Sequence, residues 1–357
     1  MEEMMSSNLY DAHRQWCIRP PDERFHDLDT LHAFTQRLKD ASEEKVRGLP
    51  EVHLDVTGHS GIALSGSEEP AILTNWSFNQ LCTAVGAPAK YLRTLPPETV
   101  IECLRHSLDK RDTQAKLLFR NGTGDRVVSA FTGPKYGRIW DADVVASLKD
   151  AVEGTGWRVP PARNNGSSDN AGLYASDRDM FAFFVNDENP IEIGNAKLGR
   201  GFFCWNSETG SCTFGLTTFL YNYVCGNHIV WGAEQVQELK IVHRSKAIDR
   251  FRSDALPALN RFVENRMATE AITRGVDQAA RLKVGDDLDK VTEWFKEKPF
   301  TGSEIIAGWR IGRNEGDDVS TLWGMVQGLT AYARQLPHTD ARVNLERRAG
   351  TLLKNIN

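Results

Sequence analysis

The six cysteines (Cys17, Cys82, Cys103, Cys204, Cys212 and Cys225) never approach CxxC spacing, so the signature of a zinc ribbon or redox dithiol is missing. There is no GxxxxGK[ST] loop to cradle nucleotide phosphates, and neither HExxH nor GxSxG occurs. The glycines within Gly194–Gly201 do not link a strand to a helix, which argues against a dinucleotide fold. No apolar run is long enough for a membrane span. The most apolar window, Phe214–Trp231, is broken by Asn222, Asn227 and His228. The start, MEEMMSSNLY, is acidic and lacks an apolar h-region, so no secretory leader is expected. The expectations are a cytoplasmic protein with reduced, mostly buried thiols, no membrane association, and no metal or cofactor.

What is present is a globular composition. The 357 residues are 40% apolar and 25% charged, ample for a core in two or three domains. Nine Trp and sixteen Phe are too many for a disordered chain, while 29 Gly and 14 Pro are too few for a fibrous one. The net charge of −5 hides an uneven distribution. Residues 240–285 hold ten Lys and Arg against five Asp and Glu, behind an acidic front. An anionic partner therefore remains open, although indiscriminate nucleic-acid binding would need a broader positive field.

Periodicity predicts an α+β fold in which a mainly antiparallel central sheet is flanked by N-terminal and C-terminal helical regions. The expected divisions are a mostly helical region over 1–110, a β-rich one over 111–245 and a helical one over 246–357. In the first, Leu28, Leu31, Phe34 and Leu38 predict a helix running toward Gly48-Leu49-Pro50, and residues 51–73 predict a hairpin. Short helices follow from Asn75 to Gly86, from Pro88, and through Val100–Leu108. Strands are predicted at 116–119, 127–131, 172–174, 180–186, 201–205, 212–216 and 228–231. Asp141 or Asp143 is a candidate cap for a helix through Val152, and residues 160–170 read as a loop. From Ile248 the period is helical again, with Pro257 predicting a kink; Leu322–Tyr332 and a terminal segment follow.

The densest polar and aromatic cluster is Gly201–Gly210 (GFFCWNSETG), followed by Tyr221, Tyr223, Cys225, Asn227 and His228. The plain reading of Asn206–Gly210 is a hairpin turn whose Asn and Ser satisfy their own backbone. The sharper one is a polar site of Asn206, Ser207, Glu208, Asn227, His228 and His243, with Glu208 as acid/base or metal ligand. Cys225 with His228 or His243 offers a thiolate–imidazole pair, against the simpler reading of a buried thiol. His243-Arg244-Ser245-Lys246 opens the basic segment, continued by Arg250 and Arg252. It reads either as a solvated helix back or as a cationic track for phosphates. The helix pair around Gly86-Ala87-Pro88 suggests a helix-turn-helix, but Pro88 occupies the place where that motif carries a glycine.

Ala130–Val145 (AFTGPKYGRIWDADVV), Gly201–Gly226 and Thr321–Tyr332 (TLWGMVQGLTAY) resemble a family of phage- and plasmid-borne prokaryotic proteins carrying a domain of unknown function. The resemblance implies a mobile genetic element and a bacterial host cytoplasm, and it brings no catalytic residues with it. The leading expectation is a non-catalytic nucleic-acid-handling protein, favouring single-stranded DNA and working as a homo-oligomer. Arg244, Lys246, Arg250 and Arg252 would meet phosphates, and Trp205, Tyr221 or Tyr223 would stack bases. The alternatives are a metal-dependent nuclease or hydrolase centred on Glu208, and an inhibitor of a host protein that uses the acidic front.

Overall fold

The computed structural model describes residues 23–57, 61–65, 69–121, 125–159, 172–193, 196–222, 228–229, 239–264, 267–333, 335–336, 345 and 348–353. They form two sheets and eleven helices, an α+β architecture.

The first sheet has the order β2-β6-β7-β5-β4-β3. Its strands are β2 (Ser42–Gly48), β3 (His53–Val56), β4 (Ile62–Ser65), β5 (Ala71–Leu73), β6 (Gln114–Asn121) and β7 (Arg126–Thr132). All pairings are antiparallel except β5 with β7. The helix α1 (Leu28–Asp40) precedes it, capped by the Asp27 carboxylate, which accepts from the Thr30 amide at 2.7 Å. This helix stops earlier than its apolar spacing predicts, because Ser42–Gly48 is an edge strand. Its sequence, SEEKVRG, carries charge where an interior strand would carry apolar residues. The strands at 114–132 complete this front sheet.

Between β5 and β6 lie α2 (Asn75–Val85), α3 (Ala89–Leu92) and α4 (Pro97–Leu108). Thr74, one residue before the expected start, caps α2 by accepting from the Ser77 amide at 3.1 Å, and Gly86 ends it in the left-handed region at φ 73°. Their inward faces place Leu81 and Leu104 against Leu117 and Val128 of the sheet. With only four residues, α3 is too short to lie along a DNA groove as a reading helix.

The second sheet runs β1-β9-β10-β11-β12-β13, with β8 on β10 and β14 on β12, all antiparallel. It contains β1 (Arg24–Phe25), β8 (Trp157–Arg158), β9 (Leu173–Ala175), β10 (Met180–Ile193), β11 (Ala196–Asn206), β12 (Phe214–Asn222), β13 (His228–Ile229) and β14 (Leu239–Ile241). Residues alternate between two cores, as a period of two requires. Ala182, Phe184, Phe202 and Cys204 join the core under α5 (Asp141–Val152), and Phe181, Phe183, Phe203 and Trp205 join the core on the other face. The expected loop at 160–170 lies outside the described residues.

After β14 come α6 (Ala247–Arg250), a π-helical turn at Phe251–Ala255, and α7 (Leu256–Glu264). The irregularity stands just before Pro257, which has no N–H to donate to the preceding turn. The remaining helices are α8 (Met267–Arg281), α9 (Leu288–Trp294), α10 (Gly302–Glu315) and α11 (Leu322–Ala333). They enclose their own core around Val276, Phe295 and Met325. The antiparallel pair α10–α11 meets at glycines, with Gly308 against Gly328 and Gly312 against both Gly324 and Gly328.

This contact has a measurable consequence. A Cβ at Gly328 would collide with the Gly308 carbonyl. Gly328→Ala is expected to destabilise the protein by about 1–3 kcal/mol in urea unfolding, the range for overpacking a tight contact. Gly302→Ala, where an added Cβ meets nothing within 4 Å, is expected to be neutral.

Candidate functional site

The segment Asn206–Gly210 does form the connection of a hairpin, between β11 and β12, but it is not a surface turn. Asn206, Ser207, Glu208 and Thr209 are all 2% exposed or less. Such a burial needs partners for its polar groups, and three parts of the chain supply most of them, the Asn206 Oδ1 atom being left without one. From the front sheet, Arg120 of β6 forms an ion pair with Glu208 Oε2. From α5, the Asp141 backbone N–H donates to Glu208 Oε1 at 2.8 Å. From α2, Trp76 Nε1 and Gln80 Nε2 donate to the Thr209 carbonyl at 3.0 and 2.7 Å. Gln80 then accepts the Phe131 amide of β7 at 2.8 Å, which links loop, helix and sheet.

The remaining loop contacts are equally specific. The Ser207 hydroxyl donates to the Arg178 carbonyl at 2.6 Å, while the Ser207 carbonyl accepts from the Tyr136 hydroxyl at 2.9 Å. Asn206 Nδ2 donates to the Ile139 carbonyl at 2.8 Å and to Asp141 Oδ1 at 2.7 Å. Arg120 is fully engaged, since Nε donates to Ser42 Oγ at 3.2 Å and Nη1 to the Asp177 carbonyl at 3.2 Å. Burial lifts the Glu208 carboxyl above its ordinary range, with Arg120 and the Asp141 amide pulling against it. Asp141 is raised well above its ordinary range, by burial and then by the negative charge of Glu208. Asp141 opens α5 as its first residue but does not cap it.

His243 stands beside this network. Its Nδ1 donates to the Gly137 carbonyl at 3.1 Å, and its ring stacks on Tyr136 with centroids 5.0 Å apart. Burial, with the nearby Arg138 charge, pushes the imidazole down to about 4, so it is neutral. Tyr136 therefore joins His243 to the Ser207 backbone. His228 is not brought there. It pairs with Tyr221 on β12, and Phe214 to Tyr221 alone spans about 23 Å of strand at 3.3 Å per residue. Asn227, Tyr223 and Cys225 lie outside the described residues. Tyr221 pairs in register with Gly199 and His228.

Trp205 requires a correction. It is 1% exposed and packed 5.3 Å from the Phe203 ring, so no base can stack on it. The basic residues are where the sequence suggests: Arg244, Lys246, Arg250 and Arg252 are all exposed. His243, Ala247 and Phe251 are buried, whereas Val242 and Ile248 are exposed alongside the cations. Arg250 pairs with Asp254 at 3.0 Å; Arg244, Lys246 and Arg252 have no ion-pair partner among the described residues. The turn is seated tightly on its neighbour, because a Cβ at Gly137 would collide with the Arg244 carbonyl. Sequence reasoning missed Arg120, Asp141 and Tyr136 as parts of the buried network. The one visible signal was a lone arginine in an otherwise apolar strand, LLFRN.

No cluster of three or more His, Cys, Asp or Glu among the described residues is arranged to hold a metal ion. No helix among them is long and apolar enough to cross a membrane. The sequence pattern of one family, Domain of unknown function (DUF932), matches residues 130–350, well over half of the chain. The chain belongs to that family. The DUF932 region begins within β7 and takes in α5, the buried loop, the cationic turn and the helix pair, while Arg120, Trp76 and Gln80 precede it. Neither a curated protein nor a solved structure matches the chain.

Two expectations follow. Glu208→Gln leaves the Arg120 cation buried without its counter-charge and should cost about 3–5 kcal/mol, whereas replacing both residues by Met should recover much of that loss; urea unfolding of the variants measures both. His243 gives a pH dependence. As pH falls from 6.5, the unfolded chain protonates before the folded one, so stability present above pH 6.5 is lost toward pH 4. The shift corresponds to about 3 kcal/mol. Asp141 and Glu208 act with the opposite sign. The His243 contribution is therefore read as the difference in unfolding midpoints between wild type and His243→Phe at pH 7.5 and pH 5.

Proposed function

We propose that the protein is a non-catalytic nucleic-acid-handling protein of a phage or plasmid, acting on single-stranded DNA in a bacterial cytoplasm as a homo-oligomer. One observation carries the reading: four cations, Arg244, Lys246, Arg250 and Arg252, are displayed to solvent within nine residues of a firmly seated turn and helix start. A cation held in place by its backbone loses little freedom on meeting a phosphate. The Arg250–Asp254 pair is exposed on both sides, so it is weak enough to be exchanged for a phosphate contact.

The alternatives draw less support. A metal-dependent nuclease or hydrolase would need the Glu208 carboxylate, but Arg120 and the Asp141 amide occupy both of its oxygens. A host-protein inhibitor would need a free acidic front. Of Glu43-Glu44 and Glu68-Glu69 in that front, Glu43 pairs with Lys45 and Arg126 and Glu44 with Arg138, Glu69 is exposed, and Glu68 lies outside the described residues.

The test is binding of labelled single-stranded DNA by anisotropy at several salt concentrations. Four phosphate contacts predict a slope of log K against log salt of about −3, roughly a fifty-fold loss between 50 and 200 mM. Reversing Arg244, Lys246, Arg250 and Arg252 to Glu should abolish binding and leave the melting transition in place. Undiminished binding by the reversed protein would overturn the cationic track.

A further inference from the structure

A second feature lies beside the cationic turn and belongs to neither the buried loop nor the cations. Between α2 and the end of the sheet where β6 begins and β7 finishes is an open cleft with a volume of about 510 Å³. Its floor is apolar, formed in part by Ala115 and Phe131. Trp76 lines one wall, its ring fixed by the bond from Nε1 to the Thr209 carbonyl and by the Arg178 guanidinium 5.7 Å from its centroid.

No charged side chain lines this cleft. A phosphate or a metal ion would have to give up its hydration there with nothing to replace it. The rim is nevertheless polar and uncommitted. Asn79 accepts from Arg93 through Oδ1 at 2.6 Å, which leaves its Nδ2 amino group without a partner among the described residues. The Gln114 amide and the Thr113 hydroxyl also line the cleft and make no side-chain hydrogen bond there. An aromatic wall, an apolar floor, free donors and acceptors and no charge together fit a flat, uncharged ring with hydrogen-bonding edges.

The surroundings decide which ring. Gly133 is part of the cleft, and the exposed Lys135 follows two residues later. The Gly133–Gly137 turn packs on the cationic segment through the Tyr136–His243 stack and the Gly137–Arg244 contact. The turn that leaves the cleft therefore leads to cations, first Lys135 and onward Arg244 and Lys246 on the segment it packs against. We propose that the cleft receives one unpaired nucleobase of a single strand whose flanking phosphates run along those cations. The proposal rests on the nucleic-acid reading above and moves the stacking surface from the buried Trp205 to Trp76. Amides and hydroxyls that both donate and accept make the site tolerant of base identity.

Ala84 lines the cleft from the exposed side of α2, so Ala84→Trp fills it without removing a hydrogen bond or a core contact. Anisotropy titrations of the full chain compare short oligo-dT with an abasic strand of equal length. The wild type should prefer oligo-dT by about tenfold, the value of roughly one stacked base. Ala84→Trp should remove that preference while leaving the abasic affinity and the salt slope unchanged. Gln114→Glu, which sets a negative charge on the rim, should lower the preference as well and decides the matter if Ala84→Trp does not fold. Equal wild-type binding of the two strands, or a preference that survives in a folded variant, would overturn the base site while the cationic track stands. Binding of neither strand by the wild type would overturn the nucleic-acid reading and the base site together. Tryptophan quenching by a neutral oligosaccharide in that case would assign the cleft to a sugar.

Discussion

The contact between Arg120 and Glu208 joins the two sheets through a pair of opposite charges withdrawn from water. Each charge would be expensive to bury alone, so each constrains the position of the element that carries it. Arg120 comes from β6, the strand next to the β2 edge of the front sheet, and Glu208 from the β11–β12 connection of the second sheet. The rest of the loop is arranged around this requirement. The Asp141 amide takes the second carboxylate oxygen, Ser42 and the Asp177 carbonyl take the rest of the guanidinium, and α2 holds the Thr209 carbonyl. A buried polar network of this kind is stable only when nearly complete, which makes the mutual placement of the two sheets specific.

The same constraint bears on the extent of the DUF932 match. The matched region starts at residue 130, but the counter-charge of its buried glutamate lies at 120 and the donors to its loop carbonyl lie at 76 and 80. The front sheet is thus a structural component of the matched region. Residue types alone suggest an active site in Asn206-Ser207-Glu208, because carboxylate, amide and hydroxyl are also the groups of acid–base chemistry. Burial and the contacts of Ser207 and Glu208 tie this segment to both sheets here, with only the Asn206 Oδ1 atom left over.

Much of the fold was legible in the sequence. The helices α2, α4, α5 and α11 and the hairpins follow from their apolar spacing and their Gly and Pro boundaries. What was hidden depended on distant partners. The strand β2 carries its charges because ion partners stand on β7 and the loop before α5, and local alternation cannot show this. The Trp205 error has a related cause. In β10 and β11 both faces are covered, so the run Phe202-Phe203-Cys204-Trp205 has no solvent side, and an aromatic there is core. The cationic segment was readable because exposure is the ordinary condition of Arg and Lys. The cleft beside α2 was not, since its lining comes from α2, β6, β7 and the loop at Gly210.

The glycine contact between α10 and α11 bears on how this sequence can vary. Most helix pairs meet through side chains, and a change on one helix can be absorbed by a new rotamer on the other. Here the Gly328 backbone lies on the backbone of Gly308 and Gly312, and Gly324 lies on the backbone of Asp318 in the loop that joins the two helices. At Gly324 and Gly328 no rotamer is available to yield, whereas Gly308 and Gly312 also face the side chains of Leu329 and Val319. At the first two positions the geometry is set by peptide planes alone. The neighbouring helices can exchange one apolar residue for another of similar volume, while Gly324 and Gly328 admit no gradual route to a different packing.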